Sequence, residues 1–96
     1  MRVYVSGRIK DYVEHEEHFT AGVRAVKEMG HEPVCPLDLD GKPDASYQEW
    51  MRIDLLALLE CDGIYMLQGW ERSVGARTEH TVAAVCGLEI LYEEAT

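Results

Sequence analysis

SYQEWMRIDLLALLECDGIYMLQGWERSVGARTEHTVAAVC, residues 46–86, decides the fold, because it reads as helix, buried strand and helix in immediate succession. Ser46 followed three residues later by Glu49 is a capping box, opening a helix that runs to about Glu60. Within Asp62–Gln68 the apolar run Ile64-Tyr65-Met66-Leu67 is long enough for a buried strand and too short for a helix. Gln68–Arg72 carries a turn, and a further helix is expected over about Val74–Cys86.

The flanks continue the alternation. Arg2–Ser6 is a short β-rich run ended by Gly7. Residues from about Val13 to Met29 place Phe19, Val23 and Val26 at helical spacing, and Gly30 closes that stretch as a C-terminal glycine does. His31–Cys35 is a second strand, Pro36–Ala45 with its two prolines and Asp40-Gly41 a loop, and Leu88–Tyr92 a last strand. Strands separated by helices imply right-handed crossovers and a parallel sheet. The expected fold is therefore α/β: a small Rossmann-like or flavodoxin-like sheet of about four strands with three helices, one domain over residues 1–96.

Composition narrows the function. With 47% hydrophobic residues and no apolar run near the ~18 residues a membrane span needs, the 96-residue chain reads as soluble. A net charge of −9 repels polymeric nucleic acid and anionic membranes, although a small anion can still bind locally. Met1 and Arg2 run straight into a strand instead of a leader. The three cysteines, Cys35, Cys61 and Cys86, are widely spaced and suggest neither a disulfide framework nor a zinc site. A cytoplasmic location is expected. So short a chain leaves much of its surface exposed, which points to a homo-oligomer, a dimer or higher.

Named motifs are mostly missing. No phosphate-binding GxxxxGK[ST] and no GxGxxG is present, and SGRIKD follows the first strand instead. A receiver-type phosphorylation domain would want acids where Gly7-Arg8 and Gln68-Gly69 stand. The HEEH run at residues 15–18 lacks the HExxH spacing of a zinc protease and reads as a solvated helix face. No metal and no cofactor is expected.

Two acids stand out. On the helix from Ser46 to Glu60 the apolar stripe is Tyr47, Trp50, Met51, Ala57 and Leu58, and Asp54 falls at its centre. On the next helix, Glu79 lies in the middle of Ala76, Val82, Ala83 and Cys86. An acid so placed must be neutral, paired or facing a cavity, since an unpaired buried charge costs several kcal/mol. Paired acids in one apolar cleft are the equipment of glycosidic-bond chemistry.

In YVSGRIK of the first strand, in Asp54, in CDGIYML and above all in Ser73-x-Gly75-x-x-x-Glu79, the chain resembles the nucleoside 2-deoxyribosyltransferase superfamily. Within it, small phage and bacterial proteins with a GW-x-x-S-x-GA-x-x-E turn are the most similar, and so are the 2′-deoxynucleoside 5′-phosphate N-hydrolases. The resemblance implies Glu79 as the nucleophile at C1′ of a deoxyribose, Asp54 as the proton donor to the departing base, and Tyr4 as a holder of the nucleophile. It also implies a small-molecule nucleotide or nucleoside as the partner. A serine at position 73, where the nucleoside-transferring branch tends to carry an acid, favours a 5′-monophosphate. Arg8 and Lys10, with Gly7 and Ile9, add an anion-binding strand edge, the amides around Ser73 and Gly75 open a helix that can receive phosphate, and Trp70 is placed to stack on a base. Family enzymes often complete the site with a polar residue from a neighbouring subunit, supplied after the last strand, and here the sequence ends at Thr96. Three classes stay open: an N-glycosidic enzyme, a non-catalytic nucleotide or nucleotide-sugar binder, and a scaffold whose buried acids are structural. Hydrolysis and transfer are both compatible with the residues.

Overall fold

A computed structural model describes residues 1–41 and 43–94. Four strands, β1 (Arg2–Ser6), β2 (Glu32–Val34), β3 (Gly63–Met66) and β4 (Glu89–Tyr92), alternate with three helices, α1 (His15–Glu28), α2 (Tyr47–Leu59) and α3 (Val74–Val85). All strand pairs are parallel, in the order β2-β1-β3-β4. The expected α/β layer is thus present. The strand order reverses between β1 and β3, and open parallel sheets bind ligands beyond the carboxyl ends of their strands at such a point.

Period-2 alternation sorts the sheet into two faces. Val3, Val5, Tyr65 and Leu67 pack with Phe19 and Val26 of α1. Tyr4, Ile64 and Met66 pack on the other face with Leu58 of α2 and with Ala76 and Ala83 of α3. Gly7 is buried at the end of β1, where an added Cβ would stand 2.8 Å from Leu67 Cδ1.

The capping box forms as the sequence indicates: Glu49 N–H donates to Ser46 Oγ at 3.2 Å, and Ser46 N–H to Glu49 Oε1 at 3.4 Å. Gly30 ends the first helix in the left-handed region, at φ 85°. Several expectations shift. Helix α1 begins at His15 rather than Val13, because Asp11 takes a left-handed turn at φ 58° and leaves the Val13 side chain 92% exposed. The loop after β2 contains a 3₁₀ turn, Pro36–Asp38. The stripe of α2 is only partly covered, with Leu58 buried and Tyr47 exposed. On α3, Cys86 is exposed, because the helix ends at Val85 and Cys86 already belongs to its C-terminal turn. No helix among the described residues is long and apolar enough to cross a membrane.

Candidate active site

Alternation along β1 puts Tyr4 and Ser6 on the face that receives α3. Both are completely buried. Glu79, in the second turn of α3, is 5% exposed and points its carboxylate between them. The Tyr4 hydroxyl donates to Oε2 at 2.6 Å, and the Ser6 hydroxyl donates to Oε1 at 2.7 Å. Each oxygen of one buried carboxylate therefore has its own hydroxyl donor. Such short charge-assisted bonds are the strong kind, and they offset part of the loss of water around the acid.

Asp54 belongs to the same neighbourhood. Its charge raises both the Tyr4 phenol and the Glu79 carboxyl. Burial pushes Asp54 up to about 6. Glu79 is pushed up to about 7, mainly by burial and further by Asp54, against the pull of the Tyr4 and Ser6 hydroxyls. Tyr4 is held far above the ordinary tyrosine value by burial and by Glu79, so it remains a hydroxyl donor throughout the working pH range. Two interacting acids titrate as a pair, so the two steps belong to the pair and not to single residues. Because Glu79 is pushed higher than Asp54, the single proton between the two steps rests mainly on Glu79, and the form with the proton on Asp54, which keeps both hydroxyl bonds to an ionised Glu79, is the less populated one. A proton on Glu79 would force at least one donor to reorient.

Ser6 was not singled out in the sequence. Its signal is its place: a small hydroxyl on the same strand face as Tyr4, at the carboxyl end of an otherwise apolar run. Gly75 at the start of α3 lies where a Cβ would stand 3.3 Å from the Tyr47 hydroxyl and 3.4 Å from the Met51 sulfur, so α2 crosses close to the beginning of α3.

The other sequence-predicted residues divide. Arg8 lines a cleft of about 620 Å³ at the carboxyl ends of the strands, together with Tyr12, His18, Gln68, Arg72 and Glu93 among others. Ile9 and Lys10 are exposed and do not line it. Trp70 is stacked on His80 with ring centroids 4.4 Å apart, so one of its faces is already covered. Ser73 caps α3 by accepting from Ala76 N–H at 3.1 Å. The HEEH run is not simply a solvated face. His15 and His18 are partly buried, since both stand in the first turn of α1 against the sheet edge, and His18 hydrogen-bonds Glu93 after β4. Among the described residues, no group of three His, Cys, Asp or Glu side chains is arranged to hold a metal ion.

Solved structures of similar fold include the 2-deoxyribosyltransferase of the psychrotolerant bacterium Bacillus psychrosaccharolyticus, with a TM-score of 0.76 at 14% sequence identity, over 100% of this chain and 77% of that one. The CMP N-glycosidase of Clostridium botulinum aligns with a TM-score of 0.68 at 21% identity, over 96% of this chain and 70% of that one. No curated protein matches. The family model described as Domain of unknown function (DUF4406) matches residues 1–92, and the chain belongs to that family.

Proposed function

We propose that this protein breaks the N-glycosidic bond of a 2′-deoxynucleoside 5′-monophosphate, or of a deoxynucleoside, through a covalent glycosyl-Glu79 intermediate. An ionised Glu79 oxygen attacks C1′ of the sugar as the C1′–N bond breaks. The bonding electrons leave with the base, which takes the proton held by Asp54. Water then attacks C1′, Asp54 recovers a proton from it, and the ester C1′–O bond breaks to return the Glu79 carboxylate. With a second base in place of water the same sequence is a transfer.

The observation that carries this reading is the double clamp on Glu79. A buried carboxylate fixed at both oxygens is preorganised beside the site where an oxocarbenium-like sugar develops positive charge, and preorganised electrostatics of this kind is a large part of enzymatic rate enhancement. The neighbouring Asp54, without a hydroxyl clamp of its own among the described residues and raised by burial, supplies the proton reservoir. Two relatives in fold, a 2-deoxyribosyltransferase and a CMP N-glycosidase, support the same chemistry by analogy. Arg8 at the strand edge favours a monophosphate over a neutral nucleoside.

A panel of 2′-deoxynucleoside 5′-monophosphates and deoxynucleosides, incubated with the protein and resolved by chromatography, tests this. Free base is expected from at least one member and is expected to vanish in Glu79→Ala. Tight binding without base release would instead identify a nucleotide-binding protein, and release undiminished in Glu79→Ala would remove Glu79 from the chemistry.

A further inference from the structure

The cleft holding Arg8 is framed by side chains that the glycosidic chemistry does not use. Arg8 sits two residues beyond β1, in a loop turned sharply by Asp11, and its Nη2 donates to the Asp11 carbonyl at 3.1 Å. Its guanidinium lies 5.7 Å from the centre of the Tyr12 ring, within reach of a cation–π contact. Tyr12 is itself held. Its hydroxyl is 3.0 Å from His18 Nδ1, and His18 Nε2 is 2.7 Å from Glu93 Oε1. That same Glu93 oxygen accepts the Gln68 backbone N–H at 2.7 Å. An unbroken chain thus runs from the ends of β3 and β4, through the first turn of α1, to the underside of the arginine.

Directionality is consistent along it. With Glu93 ionised, His18 donates from Nε2, which leaves Nδ1 free to accept the Tyr12 hydroxyl proton, and the phenol ring is then fixed edge-on to the imidazole at 83°. Arg8 otherwise belongs to an exposed loop, where a long cationic side chain loses rotamer freedom on binding an anion. Fixing it beforehand lowers that cost. The cleft is also lined by a second cation, Arg72, and by Gln68 and Gly69.

We propose that Tyr12, His18 and Glu93 are positioning residues that preset Arg8 for the 5′-phosphate of the substrate. This rests on the monophosphate reading above. Ser6 clamps Glu79 and Arg8 lies only two residues further on, so the anion site and the nucleophile are tied to one strand end. Glu71 and Glu94 rim the same cleft, which disfavours the additional charge of a di- or triphosphate.

The test compares a deoxynucleoside monophosphate with the matching deoxynucleoside in His18→Gln, Tyr12→Phe, Arg8→Ala and the double variant Arg8→Ala/His18→Gln. His18→Gln is expected to raise KM for the monophosphate by about tenfold with little change in kcat, and to leave the nucleoside's KM unaltered. Because His18 acts through Arg8, the double variant is expected to match Arg8→Ala alone. Full additivity, or equal losses on both substrates, would overturn the proposal and leave the chain a structural staple. Calorimetry with the monophosphate separates the two levels of failure. If it binds without turnover, the glycosidic reading fails, and the positioning chain is judged on Kd by the same pattern of variants. If wild-type protein does not bind it, this proposal fails, while base release from the nucleoside alone would leave the glycosidic reading standing.

Discussion

Tyr4 and Glu79, 75 positions apart in the chain, meet at 2.6 Å in the interior, where the phenol donates to one carboxylate oxygen while Ser6 donates to the other. The first strand and the third helix are joined by this contact. It is also where the cost of burying an acid is partly offset, so stability and chemistry are coupled at one group.

Removing either donor is expected to harm both. Tyr4→Phe and Ser6→Ala each leave one Glu79 oxygen without its hydroxyl, at a cost of about 1–3 kcal/mol in stability by urea denaturation. Activity is expected to fall roughly 100–1000-fold, as when one preorganised donor is removed elsewhere. Since both hydroxyls pull Glu79 down, the pH–rate profile of either variant is expected to move toward higher pH.

A bell-shaped dependence of kcat/KM on pH is expected for the wild type. The productive state needs Glu79 ionised and Asp54 protonated, which is the less populated of the two one-proton forms, and the limbs of the bell report the two steps of the pair, near about 6 and about 7. Asp54→Asn is expected to lose the alkaline limb, because no proton remains to be given up. An unchanged bell in that variant would show that another group donates.

Stability follows the same acids with a definite sign. Both carboxyls are raised in the folded chain above their ordinary values, 3.8 for Asp54 and 4.5 for Glu79. Below those values, folded and unfolded chains bind these protons alike. Between there and about 7 the unfolded chain releases them first, so stability is expected to decline as pH rises and to level off above. Because burial raises Asp54 by a similar amount and that part remains, Glu79→Gln removes about half of that slope. Its Tm at about pH 8 is expected to equal or exceed the wild-type value, and a marked drop would favour the scaffold reading, in which the acid is structural.

Packing at the end of the first strand gives a separate check. Gly7→Ala drives a methyl group to 2.8 Å from Leu67 Cδ1 and 3.0 Å from its Cβ, too close for the leucine to escape by rotation of its tip alone. A loss of about 1–3 kcal/mol is expected from such overpacking, read by urea denaturation. Since Gly7 lies between Ser6 and Arg8, the substitution is also expected to lower activity.

Much of the fold was legible because its signals are local. The Ser46–Glu49 box, Gly30 and the Ile64–Leu67 run each act within a few residues, and each appears where expected. The inward acids were legible through helical periodicity, and Tyr4 through resemblance. Ser6 was not, since a serine after Val5 reads as the end of a strand until the third helix brings Glu79 against it. The role of His18 is hidden in the sequence for a similar reason. Its partners are Tyr12, on its own side of the turn, and Glu93, 75 positions away, and only the parallel sheet brings that acid to the first turn of α1. Trp70 carries an expectation of base stacking in the sequence, but His80, in the second turn of α3, covers one of its faces.

The nucleophile itself can be caught. A 2′-fluoro-arabino deoxynucleotide carries an electron-withdrawing fluorine beside C1′, which disfavours the oxocarbenium-like state and slows release of the sugar from the enzyme. After incubation and quenching, peptide mass spectrometry is expected to find the fluorinated sugar phosphate esterified to Glu79, and no adduct in Glu79→Gln. Base release with the adduct on any other residue, or with none formed at Glu79, would contradict the assignment of this carboxylate as the group that attacks C1′.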